Sequence, residues 1–347
     1  MSRLFVVIIT IVVLIISLNI TLFKSTLAKL FVSTTSATNN ITTAANSTTM
    51  SSLATLFDSS KPKTPLYFFS HGGPTFMYEE TAGAYKKTKS IGKKILGDIK
   101  PNFILVVSAH WEAGSQNSVE ISLPNKENQL GQLENKLIYD FYGFPSHMYK
   151  EEFHTKCDIS LVKHVQQTLT EGGINAKIAK GRGIDHGVWV PFKVAFSTHK
   201  PSENYYDLDM PLVQISLGSQ SGDFEFHTKL GRLLDQYREL GGMVITSGMS
   251  VHNLRDLGRA YMNNMKPFPY VPKFNKLLTS IVTESTGAER LQKFNELKLT
   301  DLLYQAHPTL EHFVPIVVAS GANDQVKAKE LFNFDEGSLG WGIYQFD

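Results

Sequence analysis

The residues of this 347-residue sequence best suited to chemistry are histidines placed just beyond short apolar runs. Phe69-Ser70-His71-Gly72-Gly73-Pro74 sets an imidazole at the end of an extended run and on a Gly/Pro turn, where backbone can approach a ligand closely. Ser108-Ala109-His110-Trp111 repeats the arrangement after a second apolar run. Residues 243–246 lead through Ser247-Gly248-Met249-Ser250 to Val251-His252-Asn253-Leu254, a third case. A lone imidazole in such a place is most often a hydrogen-bonded, half-buried side chain. Several at the strand ends of one sheet argue instead for a shared site, because ligands bind at the carboxyl ends of strands in α/β folds. Neutral imidazoles bind metal ions and also exchange protons near neutral pH. With one cysteine, Cys157, neither an intramolecular disulfide nor a thiolate zinc cluster can form, so a metal must be held by His, Asp or Glu. Cys157 itself reads as a small buried residue.

Two further histidines join these. His186 lies in the turn Gly183-Ile184-Asp185-His186-Gly187-Val188-Trp189-Val190-Pro191, where the neighbouring carboxylate either raises the basicity of the ring or caps the turn. His312 follows His307-Pro308-Thr309-Leu310-Glu311, and Pro and Thr suit the start of a helix with His312 on its first turn. His307 is the weaker candidate because it precedes proline. His147, His154, His164, His199 and His227 fall in predicted helices or polar loops and read as surface or structural residues. A His-Glu-x-x-His helix, a phosphate-cradling glycine loop and a Gly-x-Ser-x-Gly elbow are all absent from the sequence.

The elements that must position these side chains read as alternating strands and helices. Extended runs are expected at residues 66–70, 103–108, 176–179, 212–217, 243–246, 328–332 and 342–346. Helical patterns cover residues 78–96, 148–169 and 224–240, and most of 274–318. This grammar predicts a single three-layer α/β/α domain with a mixed, largely parallel central sheet, spanning residues 65–347. Ahead of it, residues 31–64 are dominated by Ser, Thr, Asn and Ala and read as a flexible tether. Residues 4–23, within a leading segment 1–30, form an apolar run long enough to cross a bilayer. The expectation is a single-pass membrane anchor, with secretion after cleavage near Ala37 as the alternative. A formal net charge of +2 with no long basic run excludes an electrostatic footprint for nucleic acid and favours small-molecule partners. The oligomeric state is left open.

Taken in order and spacing, His71-Gly72-Gly73-Pro74, Ser108-Ala109-His110-Trp111, Asp185-His186-Gly187-Val188-Trp189, Val251-His252-Asn253-Leu254 and His307-Pro308-Thr309-Leu310-Glu311-His312-Phe313 resemble the DOPA-dioxygenase branch of the class III extradiol ring-cleaving dioxygenases. Asp140-Phe141-Tyr142-Gly143-Phe144-Pro145 and Gly337-Ser338-Leu339 also match that branch. The resemblance implies an α/β sandwich and one divalent metal held by His71, His110 and His312. It places His252 at the metal as a fourth ligand or as the base, and makes His186 an acid-base residue whose tautomer Asp185 holds. His312 stands where the wider superfamily has glutamate. Glu311 is a poor substitute, since neighbours on a helix point about 100° apart. An all-imidazole set suits zinc as well as iron, so Fe(II) is expected for activity and Zn(II) as a possible occupant. The implied reaction opens a DOPA-like catechol with dioxygen to a hydroxymuconic semialdehyde. Trp111, Tyr142, Phe144 and Trp189 are candidates for the wall against the ring, although most aromatics in such a domain are core. The same histidines would also serve a zinc-dependent hydrolase, or a non-catalytic binding protein of the same fold.

Overall fold

Strands buried on both faces form the centre of the molecule, as their unbroken runs of aromatic and branched residues require. The structure, a computed structural model, describes residues 57, 60–197 and 205–347. In chain order the elements are β1 (Leu66–Ser70), α1 (Gly83–Lys94), β2 (Ile104–Glu112), β3 (Ser118–Leu123), α2 (Ile159–Glu171), β4 (Asn175–Lys180), α3 (His186–Phe196), β5 (Leu212–Leu217), α4 (Phe224–Asp235), β6 (Met243–Gly248), β7 (Val251–His252), α5 (Leu257–Met262), α6 (Tyr270–Glu284), α7 (Gly287–Leu297), α8 (Asp301–Ala306), α9 (Val314–Ala322), β8 (Lys329–Phe332), β9 (Asp335–Glu336), β10 (Leu339–Gly340) and β11 (Ile343–Phe346).

Eight strands form the main sheet in the order β4-β3-β5-β2-β6-β1-β11-β8. Its centre, β5-β2-β6-β1, is parallel, and antiparallel pairings at β3 and β11 join the flanking strands. On one face Tyr67, Phe69, Ile104, Val106, Met243 and Ile245 share a core with Ile91 of α1 and with Val188 and Phe192 of α3. On the other, α9 lies along β1, β2 and β6 and packs against α4. The α/β/α layering with a mostly parallel sheet is therefore present as expected. Because the four central strands run the same way, their carboxyl ends share one edge, and this edge receives His71, His110 and the β6-to-β7 turn. A small sheet, β7-β10-β9, supports that turn by pairing His252 with Leu339.

Several local expectations change. The helix expected over residues 148–169 begins only at Ile159, where Asp158 caps it by accepting from the Leu161 N–H at 2.8 Å. Before it, Phe153, Thr155 and Cys157 are buried in alternation, the period of extended chain. The segment around His186 is a helix, α3, with Pro191 inside it, where the sequence reads as a turn. His312 precedes α9 rather than lying on its first turn. Strand β3 was not anticipated. Thr64, placed in the tether, is buried, and its hydroxyl donates to the Gly242 carbonyl at 2.6 Å.

The single-pass membrane expectation is corrected: among the described residues no helix is long and apolar enough to cross a membrane. The longest of the named α-helices, α6, has 15 residues, short of the roughly 20 a bilayer core demands. Residues 4–23, which prompted the expectation, lie outside the described residues, as do the cleavage alternative at Ala37, most of the tether and His199.

Candidate metal centre

Five histidines that sequence reasoning singled out meet at the carboxyl edge of the sheet. Nε2 of His110 lies 3.0 Å from Nε2 of His71 and 3.2 Å from Nε2 of His312. The His186 ring lies 4.0 Å from that of His110, and the His252 ring is stacked on His312 at 3.5 Å between centroids. One nitrogen from each of His71, His110 and His186 falls within 4.8 Å of the others, and the same holds for donor atoms of His252, Glu311 and His312. His307 stands apart. It is fully buried, and its Nε2–H donates to the Ser250 carbonyl at 3.0 Å.

The hydrogen bonds fix which nitrogens are bare. The Ser247 hydroxyl donates to the Gly187 carbonyl, so toward Nδ1 of His71, 2.9 Å away, it can only accept. His71 therefore carries its proton on Nδ1 and turns an unprotonated Nε2 inward. Nδ1 of His312 lies 3.0 Å from Glu311 Oε1, which likewise draws the proton to Nδ1 and leaves Nε2 bare. Two lone pairs thus converge on His110 Nε2, an arrangement in which at most one contact can be a hydrogen bond. Metal–imidazole bonds of about 2.1 Å set cis ligand atoms about 3.0 Å apart and tetrahedral ones about 3.4 Å apart, so the donor set fits a divalent cation.

Electrostatics agree with neutral rings. Burial holds His71 and His312 far below the usual imidazole range, with the neighbouring histidines adding to the effect. Burial pushes His110 down to about 3 and His252 down to about 4. Metal ligation requires the neutral form.

His252 and His312 are nearly parallel, at 14°. A ring nitrogen's lone pair lies in its ring plane, so an ion in the plane of His312 sits some 3.5 Å above the plane of His252. The stacked pair cannot both ligate one ion as they stand. Asp185 also departs from expectation: it does not touch His186 as a tautomer partner. It is fully buried, accepts from Ser108 Oγ at 2.7 Å and from Gln214 Nε2, and is pushed above the usual carboxylate range by burial and by Asp140. The carboxylate beside His186 is Asp140, whose Oδ1 lies 2.9 Å from Nδ1 and takes the His186 backbone N–H at 2.9 Å. Its Oδ2 is 3.6 Å from Nδ1 of His110. Burial works to raise Asp140, but the adjacent His186 ring and the His186 backbone N–H hold it below its ordinary value.

Sequence reasoning missed Asp140 and Ser247 as partners. Asp140 was visible only as part of Asp140-Phe141-Tyr142-Gly143-Phe144-Pro145, and Ser247 only as a residue of a strand end. The aromatic wall differs in part: Phe144 lies near the Gly73 turn and packs edge-on against Phe141, but the other three expected residues stand elsewhere. Trp189 is core, Trp111 is buried with the Arg182 guanidinium over its face, and Tyr142 is 88% exposed. Phe141 instead meets His186 edge-on at 5.7 Å, and Trp341 packs against Gly72.

A family model for the catalytic LigB subunit of aromatic ring-opening dioxygenase matches residues 65–339. The chain is 30% identical over 279 residues to a 4,5-DOPA dioxygenase extradiol-like protein of Schizosaccharomyces pombe, covering 76% of this chain and 86% of that protein. It is 31% identical over 290 residues to a 4,5-DOPA dioxygenase extradiol of Beta vulgaris, covering 81% and 95%. It also resembles the crystal structure of an uncharacterized protein of Escherichia coli K12, with a TM-score of 0.60 and 23% identity over 82% of this chain and 99% of that one, a likeness of fold alone.

Proposed function

Since the chain belongs to the family of the catalytic LigB subunit of aromatic ring-opening dioxygenases, we propose that its domain, residues 65–347, opens a catechol ring with dioxygen by extradiol cleavage. The observation that supports this most is the convergence of the His71, His110 and His312 Nε2 atoms, those of His71 and His312 with bare lone pairs, beside two further histidines. These three residues would hold the metal, and Fe(II) bound there would supply coordination of the catechol and electron transfer to dioxygen. Relatives named as 4,5-DOPA dioxygenases make a dihydroxyphenylalanine-like catechol the first substrate to test.

His252 is the base in this reading. It lies beside the His312 ring, off its plane, and burial keeps it neutral, so it is free to take a hydroxyl proton from the catechol. His186 is the second proton-handling group. With Asp140 against Nδ1 it can keep a proton there, present Nε2 to the substrate and return a proton as the ring opens to the semialdehyde. Phe141, edge-on to His186, helps keep water from that face.

The test is oxygen uptake. Full-length protein reconstituted anaerobically with Fe(II), then given dihydroxyphenylalanine and air, is expected to consume oxygen and form a yellow product. Failure to take up oxygen with any of a panel of catechols would reject the proposal, and ester or amide cleavage by a zinc-loaded sample would redirect it to hydrolysis.

A further inference from the structure

The contacts of His71 lead through Ser247 to the interior of helix α3. Pro191 is residue six of α3 and has no N–H to return to the carbonyl four residues earlier, which is that of Gly187. That carbonyl is not left bare: the fully buried Ser247 hydroxyl donates to it. Having spent its one proton there, Ser247 can only accept from Nδ1–H of His71, 2.9 Å away. We propose that Pro191, the Gly187 carbonyl and Ser247 form a relay that fixes His71 with Nε2 bare and aimed at the metal, so that a helix-interior proline serves metal affinity. The relay rests on the reading above that His71 is a ligand.

A hydroxyl between a carbonyl and a ring nitrogen has two settings. Without a strong acceptor on its far side, the Ser247 proton could turn toward His71, making Nδ1 the acceptor and placing the ring's proton on Nε2, where it would block the ion. In α3 the missing amide removes the N–H that an ordinary helix would return to the Gly187 carbonyl, and the Ser247 hydroxyl donates to that oxygen instead. An alanine at 191 would bring a competing N–H to the same oxygen. Pro191 and Ser247 therefore act through His71 and touch no reacting atom, as positioning residues.

The test uses full-length protein freed of metal by chelation, with Co(II) affinity read from its visible spectrum and stability read separately by urea unfolding of the metal-free form. Ser247→Ala is expected to weaken Co(II) binding by about 10- to 100-fold, and also to lower metal-free stability, because it strands the Gly187 carbonyl. Ser247→Ala/Pro191→Ala gives that carbonyl a helical N–H, so stability should recover while Co(II) affinity stays low. Pro191→Ala alone should weaken Co(II) binding several-fold. Affinity unchanged in Ser247→Ala, or restored together with stability in the double variant, overturns the relay. His71→Ala separates the two readings: if it binds Co(II) as tightly as the wild type, the ligand assignment on which the relay rests fails.

Discussion

Gly187 has no room for a side chain. A Cβ there would come within 2.7 Å of both His110 Cδ2 and Ser108 Oγ, and within 3.1 Å of His71 Cε1. Gly187→Ala must displace the two rings, and metal affinity is expected to fall by at least about 10-fold, measured by Co(II) titration; wild-type affinity would mean the ring positions are slack. Asp140 sits against the His186 ring, the second proton-handling group of the proposed mechanism. Asp140→Ala is expected to cut kcat about 10- to 100-fold with bound metal retained, as steady-state kinetics beside elemental analysis would show. Equal losses of metal and kcat would recast Asp140 as part of the metal's support. At this scale the sequence exposed the histidines, because an imidazole after an apolar run is conspicuous. It could not expose Ser247 or Asp140, whose partners lie 176 and 46 residues away along the chain.

Elements were legible where one physical signal dominated. The central strands are buried on both faces, so their apolar runs stand out, and β1 and β5 occupy the expected residues. The sequence misled where two signals competed. Around Phe153 a period of two was taken for part of a longer helix, and at α3 the glycines and Pro191 outweighed an apolar helix buried almost all round. The α4–α9 contact depends on small residues: a Cβ at Gly231 would lie 2.1 Å from the Val318 carbonyl oxygen, and one at Gly321 would lie 2.2 Å from that of Thr228. Both helices would have to part to admit a methyl group. Gly321→Ala is therefore expected to destabilise the protein by about 1–3 kcal/mol in urea unfolding, and a neutral result would mean that α9 can shift along the sheet at little cost.

For the whole molecule, the buried imidazoles couple stability to pH. His71 and His312 are held far below the ordinary range by burial, as are His110 and His307 at about 3 and His227 and His252 at about 4. The unfolded chain, with ordinary histidines near pH 6.5, binds more protons than the folded one below that pH. Stability of the metal-free protein is therefore full above about 6.5 and falls as pH drops toward 4, by up to about 1.4 kcal/mol per pH unit for each group. Asp185, raised by burial, has the opposite sign and acts only nearer the carboxylate range. Urea midpoints at pH 7, 6 and 5 check this, and a flat profile would contradict neutral buried rings. Added metal should stabilise the protein at pH 7 and lose that effect on acidification as protons compete for the same nitrogens.

The order of the strands has a consequence for how the ion is acquired. Imidazoles at positions 71, 110 and 312 are brought together by a sheet in which β11, residues 343–346, lies between β1 and β8. With 202 residues of chain between His110 and His312, no local segment holds the full set of donors, so an ion can be captured only as the sheet assembles and not before it. A fragment lacking residues 305–347 should therefore capture no Co(II), while the full-length protein should.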